Sequence, residues 1–434
     1  MKTETIKSNI LNDEYIKAVH PSGLTIYLYP KEGYKATYAI FAANYGSINT
    51  KFKINGEDKI ITVPDGIAHY LEHKLFENED GDAFSLYAKT GASANAYTSF
   101  DLTGYLFSCS ENFLESLKIL LNFVQNPYFT DETVKKEQGI MGQEIRMYND
   151  DPNWRVMFNL LKAMYHNHPV NVDIAGTVES ISKITPESLY KCYNTFYNLN
   201  NMALCIAGNF NTDEVYDLIN KTVKNDNSNL KYENIFPKEP LTVVKPRVVQ
   251  EFEISSPMFE LGFKEDPKET RVTASELAYT DILLEVVASK SSKLYKKLLD
   301  EKLINTTSFS YEYFEGPGYR SIIFSGESID PDKTASIIKD YIDEIHRNGI
   351  DEDDFITAKK SVYGKVIGLF DNIENIANLM VSFSFSGRDI FEYINTISSA
   401  DIKSLHERLK SQLITSNSSL SIVKPLSKEK SNNV

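Results

Sequence analysis

The sequence predicts an α+β fold of two similar domains, each a mainly antiparallel sheet with helices on one face. Three observations predict it. The chain has 434 residues, more than a single hydrophobic core usually serves. A polar, proline-bearing stretch over residues 224–247 cuts it into two pieces of similar size; it holds Asn225-Asp226-Asn227-Ser228-Asn229, then Pro237, Pro240 and Pro246. Strand-like and helix-like runs are mixed, without the regular βαβ alternation of a parallel sheet. The expected division is a first domain over 1–223, a linker over 224–247, a second domain over 248–426 and a polar, disordered tail over 427–434.

Along the chain, Leu24–Tyr29 and Ala36–Phe41 are rich in β-branched and aromatic residues with turn formers between them, and read as strands. Val248 to Phe263 opens the second piece in the same way. The two pieces also end alike. Ile184-Thr185-Pro186-Glu187-Ser188-Leu189 begins a capped helix that runs toward the strand Asn201–Gly208. Ile397-Ser398-Ser399-Ala400-Asp401-Ile402 begins another, ahead of the strand Asn417–Val423.

Composition narrows the function. A formal net charge of −14 opposes binding to phosphate backbones or anionic lipid, both of which need a basic face. Cys109, Cys192 and Cys205 fit neither a disulfide framework nor a zinc-binding spacing, and read as buried thiols. Met1 to Lys7 carry no apolar run of a secretion signal, and no stretch reaches the roughly 20 apolar residues of a membrane helix. The expected location is the cytoplasm.

The chemistry is concentrated in Asp65-Gly66-Ile67-Ala68-His69-Tyr70-Leu71-Glu72-His73-Lys74-Leu75-Phe76. Asp65 is placed to cap a helix. Ile67, Leu71 and Leu75 recur every fourth residue as a buried stripe. His69, Glu72 and His73 then share one face, a turn apart. Two imidazoles at i and i+4 can close on one zinc ion, and Glu72 beside it can take a proton from the water that the ion acidifies. The order His-x-x-Glu-His inverts the common metalloprotease motif.

A catalytic zinc needs a third protein ligand. The helical segment Asp131–Tyr148 offers Glu137 and Glu144, two turns apart on one face. One can ligate while the other supports the site, and spacing alone does not choose between them. Elsewhere, His166 and His168 before Pro169 read as structural loop histidines, Arg320 as a surface arginine and Trp154 as the anchor of its loop. Tyr97 and Phe100 are either pocket or core aromatics.

With these segments in view, the chain resembles the insulinase/pitrilysin family of inverted-motif zinc peptidases. Gly66 to His73 is similar to the family's metal helix, Gly91-Ala92-Ser93-Ala94-Asn95-Ala96-Tyr97-Thr98 with Asp101 and Thr103-Gly104-Tyr105 to its strand beside the site, and Ile174 to Ile181 to its characteristic loop. Val63 through Glu77 resembles its YmfH-type branch. The resemblance implies Glu144 as the third ligand, Glu137 as the supporting acid and one Zn2+ per chain. It implies half of a clamshell in which only the first domain holds metal and a peptide adds as a strand along Ser93, Ala94, Asn95, Ala96 and Tyr97.

One departure bears on partners. Active members usually hold substrate with an arginine and a tyrosine seven residues later, supplied by a non-catalytic domain. The corresponding region here is Leu294–Ile304, and no arginine lies between Arg271 and Arg320. The expectation is a heterodimer with a homologous subunit that lacks metal but carries the pair; a homodimer with an altered clamp is the alternative. The function implied is endopeptidase cleavage of peptides, unfolded chains or leader segments. The alternative is a non-catalytic peptide-binding or assembly subunit.

Overall fold

The computed structural model describes every residue except 9, 80, 226–229, 269 and 428–434. The expected tail therefore falls, apart from Ser427, outside the described residues. The chain forms two compact units, and neither is one continuous stretch. The first takes residues 1–145, 173–235 and 367–389; the second takes 146–172, 236–366 and the chain from 390.

The β-rich runs of the first unit become β1 (Lys2–Ser8), β2 (Asp13–Val19), β3 (Thr25–Pro30), β4 (Thr37–Ala43), β5 (Ser93–Thr98), β6 (Thr103–Cys109) and β7 (Met202–Gly208). They form one sheet in the order β1-β2-β3-β7-β4-β6-β5. Only β3 and β7 run parallel. All seven residues of β4 and all seven of β7 are buried, which is why both read as near-continuous apolar runs.

The second unit repeats the scheme with β8 (Arg247–Phe252), β9 (Met258–Lys264), β10 (Ser310–Gly316), β11 (Tyr319–Glu327) and β12 (Ser418–Pro425), ordered β8-β12-β9-β11-β10. Again one pair, β8 and β12, is parallel. The order and direction match β3-β7-β4-β6-β5 strand for strand. The similar sequence endings take equivalent places. A helix capped by the Thr185 side chain precedes β7, and one capped by Asp401 precedes β12.

The helices that matter below are α1 (Ile67–Leu75), α2 (Ala83–Thr90), α3 (Phe113–Gln125), α4 (Asp131–Asn149), α5 (Pro152–Met164), α6 (Pro186–Phe196) and α7 (Ile373–Ser386). Side chains alternate across a strand. One face of the first sheet turns Tyr105 and Phe107 toward Phe123 and Phe113 of α3, with ring centroids 5.7 and 6.2 Å apart. The other face turns Tyr38 and Tyr97 to Asn378 of α7, at 3.0 and 2.9 Å. That helix comes from far down the sequence. The second sheet has the mirror arrangement: α5, from the first half of the sequence, lies so close to β9 that a Cβ on Gly262 would collide with Met164 and Leu160.

The stretch 224–247 carries more structure than its composition announces. Tyr232–Asn234 adds as a strand to Lys51–Ile54 in the first unit. In the second, Glu239 is buried and pairs with Lys264 at 2.6 Å while accepting the backbone N–H groups of His166, Asn167 and His168. His168 is itself buried, with Nδ1 accepting from Val170 N–H and Nε2 against the Pro317 carbonyl, which agrees with the structural reading of this loop. Trp154 stacks on Tyr148 at 4.5 Å. Arg320 corrects an expectation: it is buried, not on the surface, and donates to the Thr270 carbonyl. The three cysteines are free and buried. Among the described residues, no helix is long and apolar enough to cross a membrane.

Candidate metal centre

The helix α1 is buried nearly all round. Ile67, Leu71 and Leu75 form the expected stripe, and Ala68, Tyr70 and Lys74 are buried with them. Its start differs from expectation. Asp65 does not cap it; Gly66 is the N-cap residue, in the left-handed region at φ 87°, with no side-chain cap. The physical reason is a close crossing of two chain segments. Gly66 and Gly176 are both left-handed, and a Cβ on either would strike the backbone at Ala175 or Asp65 of the other segment. Ser180 Oγ donates to the Asp65 carbonyl at 2.8 Å, and Thr177 and Ser180 form a capping box that fixes this loop. The two segments singled out in the sequence are thus one joint that orients α1.

On one face of that helix, His69, which is buried, and His73, which is half-buried, stand with ring centroids 4.7 Å apart and nearly perpendicular. Glu144 of α4 reaches between them. Its Oε1 lies 3.7 Å from His69 Nε2 and its Oε2 3.4 Å from His73 Nε2. These separations are long for hydrogen bonds. They are close to the roughly 3.4 Å edge between donors set about 2.0–2.1 Å from one tetrahedral ion. Two neutral imidazole nitrogens and a carboxylate also form a donor set suited to zinc. The residues present therefore fit a metal.

Glu137, two turns before Glu144 on the same face of α4, sits behind His73. Its Oε1 is 3.1 Å from His73 Nδ1, so the ring donates there and keeps Nε2 bare toward Glu144. Glu72 is buried beside the two histidines; ligand atoms of His69, Glu72 and His73 all lie within 4.8 Å of one another. Thr98 Oγ1, at the end of β5, donates to Glu72 Oε2 at 3.1 Å. Thr98 stood inside a segment quoted from the sequence but not among the candidate site residues. Nothing in its own spacing signals that β5 ends against α1.

Electrostatics follow burial. His69 is pulled down to about 4 by burial, with the His73 charge adding to it. Burial lowers His73 too, but the Glu137 hydrogen bond and the Glu72 and Glu144 charges outweigh it and leave His73 raised. Glu72 is pushed up to about 7, chiefly by burial. Burial raises Glu137, yet its bond to His73 wins and lowers it.

The model of the insulinase peptidases, peptidase family M16, matches residues 63–178, and that of the M16 inactive domain matches 183–362. The chain is 37% identical over 401 residues to the uncharacterized zinc protease YmfH of Bacillus subtilis, covering 90% of this chain and 92% of that one. The chain belongs to the insulinase family, M16. Within that family it is also 24% identical to the zinc protease YmxG of Bacillus subtilis, over 83% of this chain and 88% of that one. An M16-like peptidase structure from Alicyclobacillus acidocaldarius superposes with a TM-score of 0.90 at 34% identity, over 98% of this chain and 99% of that one. A protease structure from Helicobacter pylori shares the fold, with a TM-score of 0.79 at 18% identity, over 95% of this chain and 99% of that one.

Within this M16 chain the remaining site candidates are placed as follows. Ser93 to Tyr97 lie on β5, which among the described residues is the edge strand of its sheet, bonded to β6 alone. Ser93 and Asn95 are exposed and Ala94, Ala96 and Tyr97 partly so. Tyr97 points away from Glu72 and is tied to Asn378. Phe100 is buried, a core aromatic. Leu294–Ile304 overlaps a helix, Lys293–Asp300, with Leu294, Tyr295 and Leu298 buried.

Proposed function

We propose that the chain is a zinc-dependent endopeptidase subunit that cleaves peptides, unfolded segments or leader segments. The observation that carries this reading is the three-way approach of His69, His73 and Glu144, with Glu72 buried alongside. In it, His69, His73 and Glu144 hold one zinc ion per chain, which when bound supplies a Lewis acid that polarises the scissile carbonyl and acidifies water. Glu137 keeps His73 in the required tautomer. Glu72 takes the proton of the attacking water and passes it to the departing amine nitrogen. Thr98 holds one Glu72 oxygen and leaves the other for that exchange. The open edge of β5 offers unpaired backbone groups at Ser93 to Tyr97 on which a substrate can lie as an added strand. The free edge therefore adjoins the general base through Thr98.

In this reading the chain is one half of a clamshell, with the metal in the domain 1–223 and a non-catalytic domain over 248–426. The absence of an arginine between Arg271 and Arg320 favours a heterodimer, completed by a homologous subunit without the metal motif, over a homodimer. The setting is the cytoplasm. Glu72→Gln is expected to retain zinc by elemental analysis and lose at least about a thousandfold in peptide cleavage. Glu144→Ala is expected to lose the zinc itself. A Glu72→Gln chain that cleaves at the original rate would leave the alternative, a non-catalytic peptide-binding subunit, in its place.

A further inference from the structure

The second unit carries an unexplained polar row. Ser421 of β12, Glu260 of β9, Ser325 of β11 and Ser310 of β10 stand directly opposite one another across four neighbouring strands. Residues so paired project on the same face, so the four side chains form a line across the sheet. Ser310 and Ser325 bond to each other through their hydroxyls at 2.8 Å. Glu312, two residues beyond Ser310, adds a second carboxylate to that face. The row runs from buried to open: Ser421 has no exposed surface, while Ser310 and Glu312 are exposed.

Two groups in this row are left wanting. Glu260 Oε2 and Ser421 Oγ are both buried with no hydrogen-bond partner among the described residues. No lysine, arginine or histidine among the described residues neutralises Glu260, and the charge that bears on it is the like charge of Glu312. Two other buried acids of this unit are well served: Glu285 takes Lys365, Ser361 and Tyr311, and Glu239 takes Lys264 and three amides. An unpaired buried carboxyl costs stability unless something fills its bonds. Burial together with Glu312 accordingly pushes Glu260 up to about 8.

We propose that this row is a recognition site for the cationic group of a peptide, a lysine or arginine side chain entering from the β10 edge and held between Glu260 and Glu312. Ser421 and Ser325 supply the neighbouring hydroxyls, which accept from its remaining N–H donors. The ligand class rests on the peptidase reading above; the site itself rests on the register of the row and on the buried Glu260 Oε2 and Ser421 Oγ, which have no partner among the described residues. It assigns the second unit a share in choosing substrates, by charge.

The test uses the full chain with Glu72→Gln, so that peptides stay intact, and two labelled twelve-residue peptides that differ only in one central residue, lysine or norleucine. Fluorescence anisotropy is expected to give the lysine peptide about tenfold tighter binding, the usual scale of a charge-assisted pair. Glu260→Gln is isosteric and is expected to abolish that preference. Glu312→Gln, at an open position where folding is not in question, is expected to reduce it. Equal binding of the two peptides, or a preference that survives in the double variant, overturns the proposal. Cleavage of the norleucine peptide by the unaltered chain tests the peptidase reading separately, so the two can fail independently.

Discussion

Glu72 is held by one oxygen only. Thr98 Oγ1 donates to its Oε2 from 3.1 Å, and burial, against the pull of His73, raises the carboxyl to about 7. A base near neutrality is well matched to accept and return a proton. Thr98→Val removes the donor without changing the volume, and is expected to lower kcat about tenfold at little change in KM, while Thr98→Ser restores most of the loss. A rise in KM alone would put Thr98 in substrate binding instead. His73 sets the pH dependence. Its folded value is raised above the ordinary level of about 6.5. In the metal-free chain the protonated ring therefore contributes stability below that level, and the contribution is lost as pH rises through the raised value. Metal affinity runs the other way, because the ligand must be bare. His69, held down at about 4, does not compete. Zinc affinity measured with a competing chelator is expected to fall about tenfold per pH unit once pH drops below the His73 value. A flat profile from pH 8 to 5 would show that no histidine proton opposes the metal.

At the scale of elements, the site depends on how α1 is launched. Its register was legible in the sequence, because the four-residue recurrence of Ile67, Leu71 and Leu75 forces His69, Glu72 and His73 onto the remaining face. Its anchor was only half legible. The segments around Gly66 and Gly176 could each be picked out, but that they cross, glycine against backbone, is a tertiary fact that no local pattern contains. Asp65 looked like a cap for the same reason: its residue type suits the role, yet its carbonyl is taken by Ser180 and Gly66 occupies the turn. Gly66→Ala meets two penalties at once, a left-handed φ of 87° and a collision with the Ala175 carbonyl. It is expected to cost about 2–4 kcal/mol, read as a lowered Tm, and to release zinc as α1 shifts away from Glu144. Gly91→Ala makes the comparison, since Gly91 is also left-handed, at φ 76°, but a Cβ there meets nothing. Equal losses in the two variants would mean that conformation alone, and not the crossing, positions the helix.

For the whole molecule, the duplicated α+β plan was readable because strands and capped helices recur in the same order in both halves. The exchange of α5 and α7 between the halves was not. Each is an ordinary amphipathic or apolar helix in its own surroundings, and nothing in its periodicity says which sheet it will cover. The consequence is physical: the first sheet's second face is completed by residues 367–389. Tyr38 and Tyr97 meet Asn378 there, and Tyr29 lies against Phe370, with centroids 6.2 Å apart. A fragment ending at residue 235 leaves those aromatic side chains in water. At about 25 cal/mol per Å2, several such side chains amount to a sizeable part of a domain's marginal stability. The fragment 1–235 is therefore expected to show helix and strand by circular dichroism but no cooperative thermal transition, and to bind a hydrophobic dye. Fusing residues 367–389 to it through a flexible linker is expected to restore a sharp transition. If the fragment without them already melts cooperatively, α7 is a covering layer the first unit does not need, and the metal-bearing unit can stand as a domain of one continuous sequence.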